Sequence, residues 1–290
     1  MTRRVSKTGL HFLVDDEQEA QFWSWFESPS WEPDTVEAMR LYVGEETACV
    51  DVGAWIGDTV LLAASRACSL VAFEPDPMAR AALERNLELN PAVDFVTVRG
   101  EALSDRNGYA YLRFGDREGD SLTRLAAIRP PGNDDATPVT LLDVRSFLAE
   151  QRFQAGDEVF FKLDVEGSEY EIVPAMRKFI AEVRPHLQVS FHPNLRYRKD
   201  TLLARVVSGL VVLRQNWRVL RAVRGYRHHL TWDPSAGGFR NDRAADRLRL
   251  WLPLPLRWSF LVGTYLFTDQ DRGQHRGGDS QRGSADGSAR

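Results

Sequence analysis

Four side chains that are suited to chemistry occur within a short part of the chain. Lys162 and Asp164 alternate along an apolar run, residues 158–165, which we predict to be a strand, and Glu166 continues the alternation just after it. Alternate residues of a strand project to one side. Charged groups placed there are costly in a closed core unless they pair or reach a pocket. The pattern predicts either a structural ion pair of Lys162 with Asp164 or Glu166, or a pocket where these groups meet a substrate.

His192 ends the next predicted strand, so it is expected to face the same crevice. A lone histidine is usually structural, but an imidazole at this place is also suited to act as a general base. Asp164 and His192 together suggest a metal site. No third ligand is evident, however, and the sequence therefore predicts no metal.

A glycine turn precedes these groups and suits a nucleotide-like ligand. Gly53 and Gly57 follow an apolar run, residues 48–52, and come just before a predicted helix that Asp58 or Thr59 would cap. Glycine lets a backbone turn tightly and approach a ligand closely. Glu74 ends the following predicted strand, where a carboxylate can accept hydrogen bonds from ribose hydroxyls. The alternative is that Glu74 merely favours the start of the next helix.

The spacing of the glycines discriminates between cofactors. The pattern is Gly-x-x-x-Gly rather than the Gly-x-Gly-x-x-Gly of dinucleotide folds, and Asp51 lies beside it. A carboxylate there would repel a pyrophosphate and attract a cationic amino-acid head. The turn therefore favours S-adenosylmethionine (SAM) over a nicotinamide dinucleotide, and a nicotinamide oxidoreductase is the least favoured class.

From residue 47 the chain alternates predicted strands and helices, as in a parallel sheet covered on both faces. Predicted strands span residues 48–52, 69–73, 95–98, 109–114, 158–165, 186–191, 227–232 and 262–268; predicted helices span 33–42, 59–64, 78–89, 141–151, a segment ending near 181, and 201–213. We expect an aromatic-rich cap at 1-46, a catalytic domain at 47-270 and a disordered tail at 271-290. The aromatic cluster from Phe22 to Trp31 is either a packed cap or a lid over the site.

Composition narrows the possible partners. A formal net charge of −4 gives no general attraction to nucleic acid or anionic lipid, and neither is expected as a partner. The first residues are not followed by the apolar run of a secretory signal. The apolar stretch at 250–267 is interrupted by prolines and an arginine, so no membrane span is expected there. These features predict a cytoplasmic protein.

Several segments together resemble the FkbM family of SAM-dependent methyltransferases. They are Asp51–Gly57, Phe73–Pro75, Asn86 with Asn90, Ala102–Asp105 and Lys162–Glu169, the last reading Lys-x-Asp-Val-Glu-Gly-x-Glu. That last string is the most specific, and the resemblance extends from about Trp31 to His192. It implies a Rossmann-like class I methyltransferase fold, α/β, with a mostly parallel seven-stranded sheet, helices on both faces and a reversed last strand.

The resemblance also implies a function and a set of site residues. It implies O-methylation of a hydroxyl on a small molecule, a sugar or natural product, with S-adenosylhomocysteine (SAH) as product. The implied cofactor residues are Asp51, Gly53, Ala54 and Gly57 at the methionine end, Glu74 at the ribose, and Glu101 and Ala102 at the adenine. The candidate catalytic residues are His192, Asp164, Lys162 and Glu166. An N-methyltransferase and a non-catalytic cofactor-binding module are the alternatives.

Overall fold

The computed structural model describes residues 1–17, 19–113, 124–126, 137–192, 202–241 and 263–272. The strands are β1 (Thr2–Lys7), β2 (Leu10–Asp15), β3 (Ala48–Val52), β4 (Ser69–Phe73), β5 (Thr97–Arg99), β6 (Ala102–Ser104), β7 (Gly108–Arg113), β8 (Arg124–Ala126), β9 (Pro138–Asp143), β10 (Val159–Leu163), β11 (His186–Phe191), β12 (His228–Asp233), β13 (Gly238–Asn241) and β14 (Gly263–Thr268). The helices are α1 (Ala20–Phe26), α2 (Pro33–Tyr42), α3 (Asp58–Ala64), α4 (Pro77–Glu88), α5 (Val144–Gln151), α6 (Glu169–Ala175), α7 (Arg177–Glu182) and α8 (Leu202–Val223).

Eight of the described strands form one mixed sheet, in the order β13-β12-β14-β11-β10-β3-β4-β5. The five strands from β11 to β5 are parallel, and β14 runs antiparallel to both of its neighbours. This arrangement confirms the Rossmann-like α/β fold and the reversed last strand. The predicted number of seven strands is wrong, because the short edge strand β13 lacks the apolar alternation that marks a strand in sequence.

The central strands are buried on both faces, which explains why they read as continuous apolar runs. In β10 every residue is buried, and neighbouring side chains enter different cores. Phe161 packs with Tyr170 of α6 and Val219 of α8, whereas Phe160 packs with Trp23 of α1 and Val60 of α3. The sheet thus separates two hydrophobic cores and presents its carboxyl edge to the site.

A smaller sheet, ordered β6-β9-β7-β8, lies beyond β5. It corrects one predicted helix, since residues 141–143 belong to β9 and α5 begins only at Val144. Val139 and Leu141 are buried while Thr140 is exposed, which is the two-residue period of a strand.

Other boundaries also differ from the prediction. The strand predicted at 158–165 ends at Leu163, the one predicted at 95–98 begins at Thr97, and α8 extends to Val223 rather than ending at 213. The N-cap of α3 is Gly57, so the prediction that Asp58 or Thr59 caps this helix is wrong. The helix predicted to end near 181 is divided into α6 and α7.

The N-terminal segment shares a core with the main sheet. Trp23, Phe26 and Trp31 are buried together with residues of β3, β4 and α3. Asn86 of α4 accepts from the Asp15 N–H (2.7 Å) and donates to the Ile56 carbonyl (2.8 Å), which ties β2 to the glycine turn. The domain boundary at residue 46 stays a prediction. The predicted tail lies, from residue 273 onward, outside the described residues.

Among the described residues, no helix combines the length and the apolar character that crossing a membrane requires. The apolar stretch considered at 250–267 lies mostly outside these residues. A cytoplasmic location stays a prediction.

Candidate active site

Two adjoining cavities open at the carboxyl ends of β3, β4 and β10. Cavity A, about 630 Å³, is lined by Glu74, Ala102 and apolar side chains that include Leu103 and Leu112. Cavity B, about 840 Å³, is lined by the aromatic residues Phe22, Trp25 and Trp31 and by the charged residues Glu32, Asp58, Lys162 and His192. Gly53, Trp55, Asp164 and Glu166 line both cavities. The two spaces therefore meet between the turn after β3 and the turn after β10.

Gly53 is required where these two turns touch. Its φ is +85°, and a Cβ added to it would lie 1.8 Å from the backbone oxygen of Asp164. Gly57 has a φ of +93°, and an added Cβ would lie 2.5 Å from Cδ1 of Leu83. L-residues rarely adopt such φ values. Both glycines are therefore explained by the path and close packing of the turn itself.

Glu74 is held against the glycine turn. Its Oε2 accepts the Trp55 N–H and its Oε1 accepts the Asp76 N–H, each at 2.8 Å. Burial raises the pKa of Glu74 to about 7, although the two N–H donors act in the opposite direction. The N-cap of α4 is Asp76, which accepts the Met78 N–H. Asp76, not Glu74, therefore caps α4. Glu74 lines cavity A, and each of its carboxylate oxygens keeps a lone pair that is able to accept a further hydrogen bond.

Lys162 forms a buried ion pair with Asp51. The Nζ–Oδ1 distance is 2.8 Å, and Lys162 also donates to the Gly53 carbonyl at 3.1 Å. Thr59 donates to the other Asp51 oxygen at 2.6 Å. Burial favours the neutral amine of Lys162, but the carboxylates of Asp51, Asp164 and Glu32 outweigh it and raise the pKa above its ordinary value. The structural ion pair predicted for Lys162 exists, with Asp51 rather than with Asp164 or Glu166.

This pair changes the predicted electrostatics of the glycine turn. The charge of Asp51 is balanced by Lys162, and Asp51 does not line either cavity. The acidic character of cavity B comes from other groups. Burial raises the pKa of Asp58 to about 7. Burial, together with the charges of Asp164 and Asp58, raises the pKa of Glu32 to about 8.

His192 lies among three carboxylates. Its Nδ1 is 2.8 Å from Oε1 of Glu169, and its Nε2 is 3.7 Å from an oxygen of Asp164 and 3.7 Å from an oxygen of Glu166. Burial lowers the pKa of His192, but the Glu169 hydrogen bond and the three negative charges outweigh it and raise the pKa to about 9. The imidazole is thus protonated at neutral pH.

Asp164 and Glu166 reach His192 from a turn, not from the strand as predicted. β10 ends at Leu163, and Glu166 and Gly167 follow with φ values of +50° and +108°. A left-handed pair of this kind reverses the chain direction. This turn brings the two carboxylates to the end of β11, where His192 lies.

The structure brings most of the predicted site residues together. All four candidate catalytic residues, Lys162, Asp164, Glu166 and His192, line cavity B. Of the predicted cofactor residues, Gly53, Glu74 and Ala102 line cavity A, whereas Asp51, Ala54, Gly57 and Glu101 do not. The Glu101 carboxylate instead accepts from Arg99 Nη2 at 2.7 Å.

Sequence reasoning missed four residues of the site: Glu32, Trp55, Asp58 and Glu169. Only two of them carried a signal, Trp55 by its place between the two glycines and Glu169 by its place in the Lys162–Glu169 string. The aromatic cluster is partly packed and partly exposed to the site. Its Phe22 ring meets the Trp55 ring edge to face, with 4.5 Å between the centroids.

The sheet order, the glycine turn and the acid at the end of β4 define a class I methyltransferase. A model of the methyltransferase FkbM domain matches residues 51–227. The chain therefore belongs to the FkbM methyltransferase family, and it is a SAM-dependent methyltransferase. No curated protein sequence matched the chain.

Solved structures with some likeness to this chain include three that span most of it. Precorrin-8w decarboxylase of Methanobacterium thermoautotrophicum is 17% identical over 70% of this chain and 77% of its own, with a TM-score of 0.36. An rRNA methylase of Streptococcus thermophilus is 11% identical over 82% and 95%, with a TM-score of 0.37. A SAM-dependent methyltransferase of Agrobacterium tumefaciens is 13% identical over 77% and 59%, with a TM-score of 0.34. Likenesses this weak say nothing about the substrate of this chain.

Proposed function

We propose that this methyltransferase methylates a hydroxyl group of a small-molecule acceptor, a sugar or a natural product. The observation that carries the proposal is the position of Asp164 and Glu166 where the two cavities meet, with His192 beside them in cavity B. A hydroxyl must lose its proton as it is methylated, and carboxylates held beside the acceptor are able to receive it.

The acidic lining of cavity B supports a hydroxyl acceptor over an amine. The carboxylates of Asp164 and Glu166 line this space, and so do Glu32 and Asp58, which an adjacent ammonium group would help to ionise. Nearby carboxylates stabilise the charged form of an amine and so raise its pKa. An ammonium group has no lone pair with which to react. An amine acceptor would thus be held in its unreactive form, whereas a hydroxyl would not.

Cavity A fits the cofactor that the family uses. Bound SAM supplies a reactive methyl group on a sulfonium. We infer that Glu74 accepts hydrogen bonds from the ribose hydroxyls and that the adenine rests on Ala102 and Leu103, inside the apolar part of the cavity. The Glu101 carboxylate is hydrogen-bonded to the Arg99 guanidinium, so we infer that Glu101 would contribute to the adenine site through its backbone.

The other predicted cofactor residues act through the turn. Ala54 is fully buried, and its N–H and that of Gly53 both donate to the Phe73 carbonyl at 3.1 Å. With Gly57 and the Asp51–Lys162 pair, these contacts fix the path of the backbone that faces the methionine end. The cationic groups of SAM would then face the carboxyls of Glu32 and Asp58, lower the pKa of both and so favour their ionised forms.

On the acceptor side, positioning is expected to matter more than proton removal. Holding reacting groups in line is worth about 7–11 kcal/mol. A general base adds about 10²–10⁴-fold. We infer that Asp164 and Glu166 bind the acceptor hydroxyl and take up its proton, and that Lys162 keeps the Gly53 turn in place. His192, which is protonated at neutral pH, is not available as the predicted general base and instead holds the two carboxylates in place. The aromatic wall of Phe22, Trp25 and Trp31 offers ring faces to an organic acceptor.

The experiment is a methyl-transfer assay with matched acceptor pairs. The purified chain is incubated with methyl-labelled SAM and monosaccharides or phenols, each beside the analogue in which one hydroxyl is replaced by an amine. Mass spectrometry then locates the added methyl group. Methylation on oxygen supports the proposal. Methylation on nitrogen alone would establish the N-methyltransferase instead, and SAH binding without any turnover would favour a cofactor-binding module.

A further inference from the structure

The end of β11 and the turn after β10 together build a set of metal ligands. One donor atom each from Asp164, Glu166 and His192 lies within 4.8 Å of the other two, and all three side chains are partly buried. We propose that these three residues bind a divalent metal ion at the acceptor side of the site. The sequence analysis identifies no third ligand beside Asp164 and His192, and the turn after β10 supplies Glu166.

The distances fit a shared ion better than direct contacts. His192 Nε2 is 3.7 Å from Asp164 Oδ1 and 3.7 Å from Glu166 Oε1. These separations exceed a hydrogen bond. Two donors that each lie about 2.1 Å from one ion are at most about 4.2 Å apart. Both separations of the Nε2 atom from a carboxylate oxygen lie within this limit, as expected for ligands of a common ion.

A second, independent observation is the way His192 is held. Its other ring nitrogen, Nδ1, is 2.8 Å from Oε1 of the fully buried Glu169. A metal-ligating histidine usually donates its remaining ring N–H to a carboxylate in this way, which orients the ring and leaves the second nitrogen for the metal. Glu169 is itself fixed by the Gly167 N–H at 3.1 Å.

The local charge also calls for a cation. Three carboxylates, those of Asp164, Glu166 and Glu169, surround His192, so the single positive charge of its imidazolium does not balance them, and Lys162 is engaged by Asp51. Oε2 of Glu169 is buried and has no hydrogen-bond partner in the part of the chain that the structure describes. Buried carboxylates are costly unless a positive charge compensates them. A divalent ion between Asp164, Glu166 and His192 would provide that charge.

Two carboxylate oxygens and one imidazole nitrogen form a mixed donor set that accepts Mn²⁺ and related divalent ions. Three protein ligands leave coordination positions toward cavity B. There an acceptor hydroxyl would bind, and its pKa would fall on coordination. This role rests on the proposed function, whereas binding of the ion does not. On binding the ion, His192 releases the proton of its Nε2 to solvent and becomes a ligand, and the hydroxyl proton likewise passes to solvent.

The test is a titration of the metal-stripped full chain with Mn²⁺, in which the electron paramagnetic resonance signal of free Mn²⁺ measures binding. We expect one saturable site. Asp164→Asn and Glu166→Gln should weaken it by about tenfold or more, and Glu169→Gln by about 10–100-fold. Glu182→Gln, which changes an exposed carboxylate on α7, is the matched control and should leave it unchanged. Circular dichroism confirms that each variant is folded.

SAH titrations on the same samples separate this inference from the proposed function. Saturable Mn²⁺ binding with unchanged affinity in the presence of SAH supports an acceptor-side metal. SAH binding by a folded protein that shows no saturable Mn²⁺ site would overturn the metal inference and leave the methyltransferase intact. Equal Mn²⁺ affinity of wild type, Asp164→Asn and Glu166→Gln would also overturn it. Mutual exclusion of SAH and Mn²⁺ would show that these carboxylates serve the cofactor instead.

Discussion

Gly53 and Gly9 form a natural pair for testing why the glycine turn needs glycine. Their φ values are +85° and +83°, so an alanine at either position meets the same backbone strain. An added Cβ at Gly9 has nothing within 4 Å, whereas at Gly53 it would lie 1.8 Å from the Asp164 backbone oxygen. The difference between the two variants therefore isolates the contact between the two turns of the site.

The expected losses of unfolding free energy follow from the backbone strain and from the steric contact. A left-handed conformation costs an L-residue about 1–2 kcal/mol, which both variants share. Overpacking adds about 1–3 kcal/mol, and at Gly53 the neighbour is a backbone atom that cannot rotate away. We expect Gly9→Ala to lower the free energy of unfolding by about 1–2 kcal/mol and Gly53→Ala by about 2–5 kcal/mol.

Two assays check this prediction. Urea unfolding measures the free energies, and calorimetry measures SAH affinity. Because the turns that would move apart line both cavities, Gly53→Ala should weaken SAH binding by about tenfold or more, a loss of about 1.4 kcal/mol or more of binding free energy. Gly9→Ala should bind SAH like wild type. Equal stability and equal SAH affinity of the two variants would refute the explanation of Gly53 by turn packing.

Three further predictions concern buried polar groups. Lys162→Met leaves Asp51 buried without its cationic partner and should cost about 3–5 kcal/mol of unfolding free energy, of which the double variant with Asp51→Asn should recover part. The pKa of Glu74 is about 7, so its carboxyl changes from mostly protonated at pH 6 to mostly ionised at pH 8. Because the ionised form accepts hydrogen bonds from ribose hydroxyls, binding of 5′-methylthioadenosine, which carries the ribose but no ammonium, should tighten about tenfold over this range. Asn86→Leu removes the partners of a backbone N–H and a backbone C=O and should cost about 1–3 kcal/mol for each unsatisfied group, measured by urea unfolding.

Each of these predictions has a control. Lys178→Met changes a lysine that is 87% exposed and should shift stability by no more than about 0.5 kcal/mol. If Lys162→Met is equally mild, Lys162 is not held in a structural ion pair. Glu74→Gln should remove the pH dependence of 5′-methylthioadenosine binding. If binding to the wild type does not change with pH, ionisation of Glu74 does not contribute to it. Unchanged stability of Asn86→Leu would contradict the bridging role of that amide.

The sequence predicts the centre of the fold well, because β3, β10 and β11 are buried almost throughout and read as apolar runs. It predicts the partner of Lys162 poorly. The parallel register of β3 and β10 sets Lys162 beside Asp51, from which it is separated by 111 residues. The spacing of residues along one strand indicates only which nearby side chains share a face. It therefore favours Asp164 and Glu166 as partners of Lys162.

The turn after β10 was the other obstacle. The alternation of side chains predicts that the strand continues past Leu163. Glu166 instead takes a left-handed backbone conformation, which an L-residue rarely adopts and which its residue type does not predict. The sequence therefore names four catalytic candidates that line one cavity, but it does not show the geometry that joins Asp164, Glu166 and His192.

The central claim is that cavity A binds SAM with Glu74 at the ribose, and calorimetric titration of SAH tests it most directly. Glu74→Gln is compared with Glu84→Gln, which changes an exposed carboxylate in the nearby helix α4. We predict micromolar binding by wild type and Glu84→Gln, weakened about tenfold or more in Glu74→Gln, as expected for the loss of a charged hydrogen-bond acceptor. A folded protein that gives no heat with SAH, or one in which Glu74→Gln binds as tightly as Glu84→Gln, would contradict the claim.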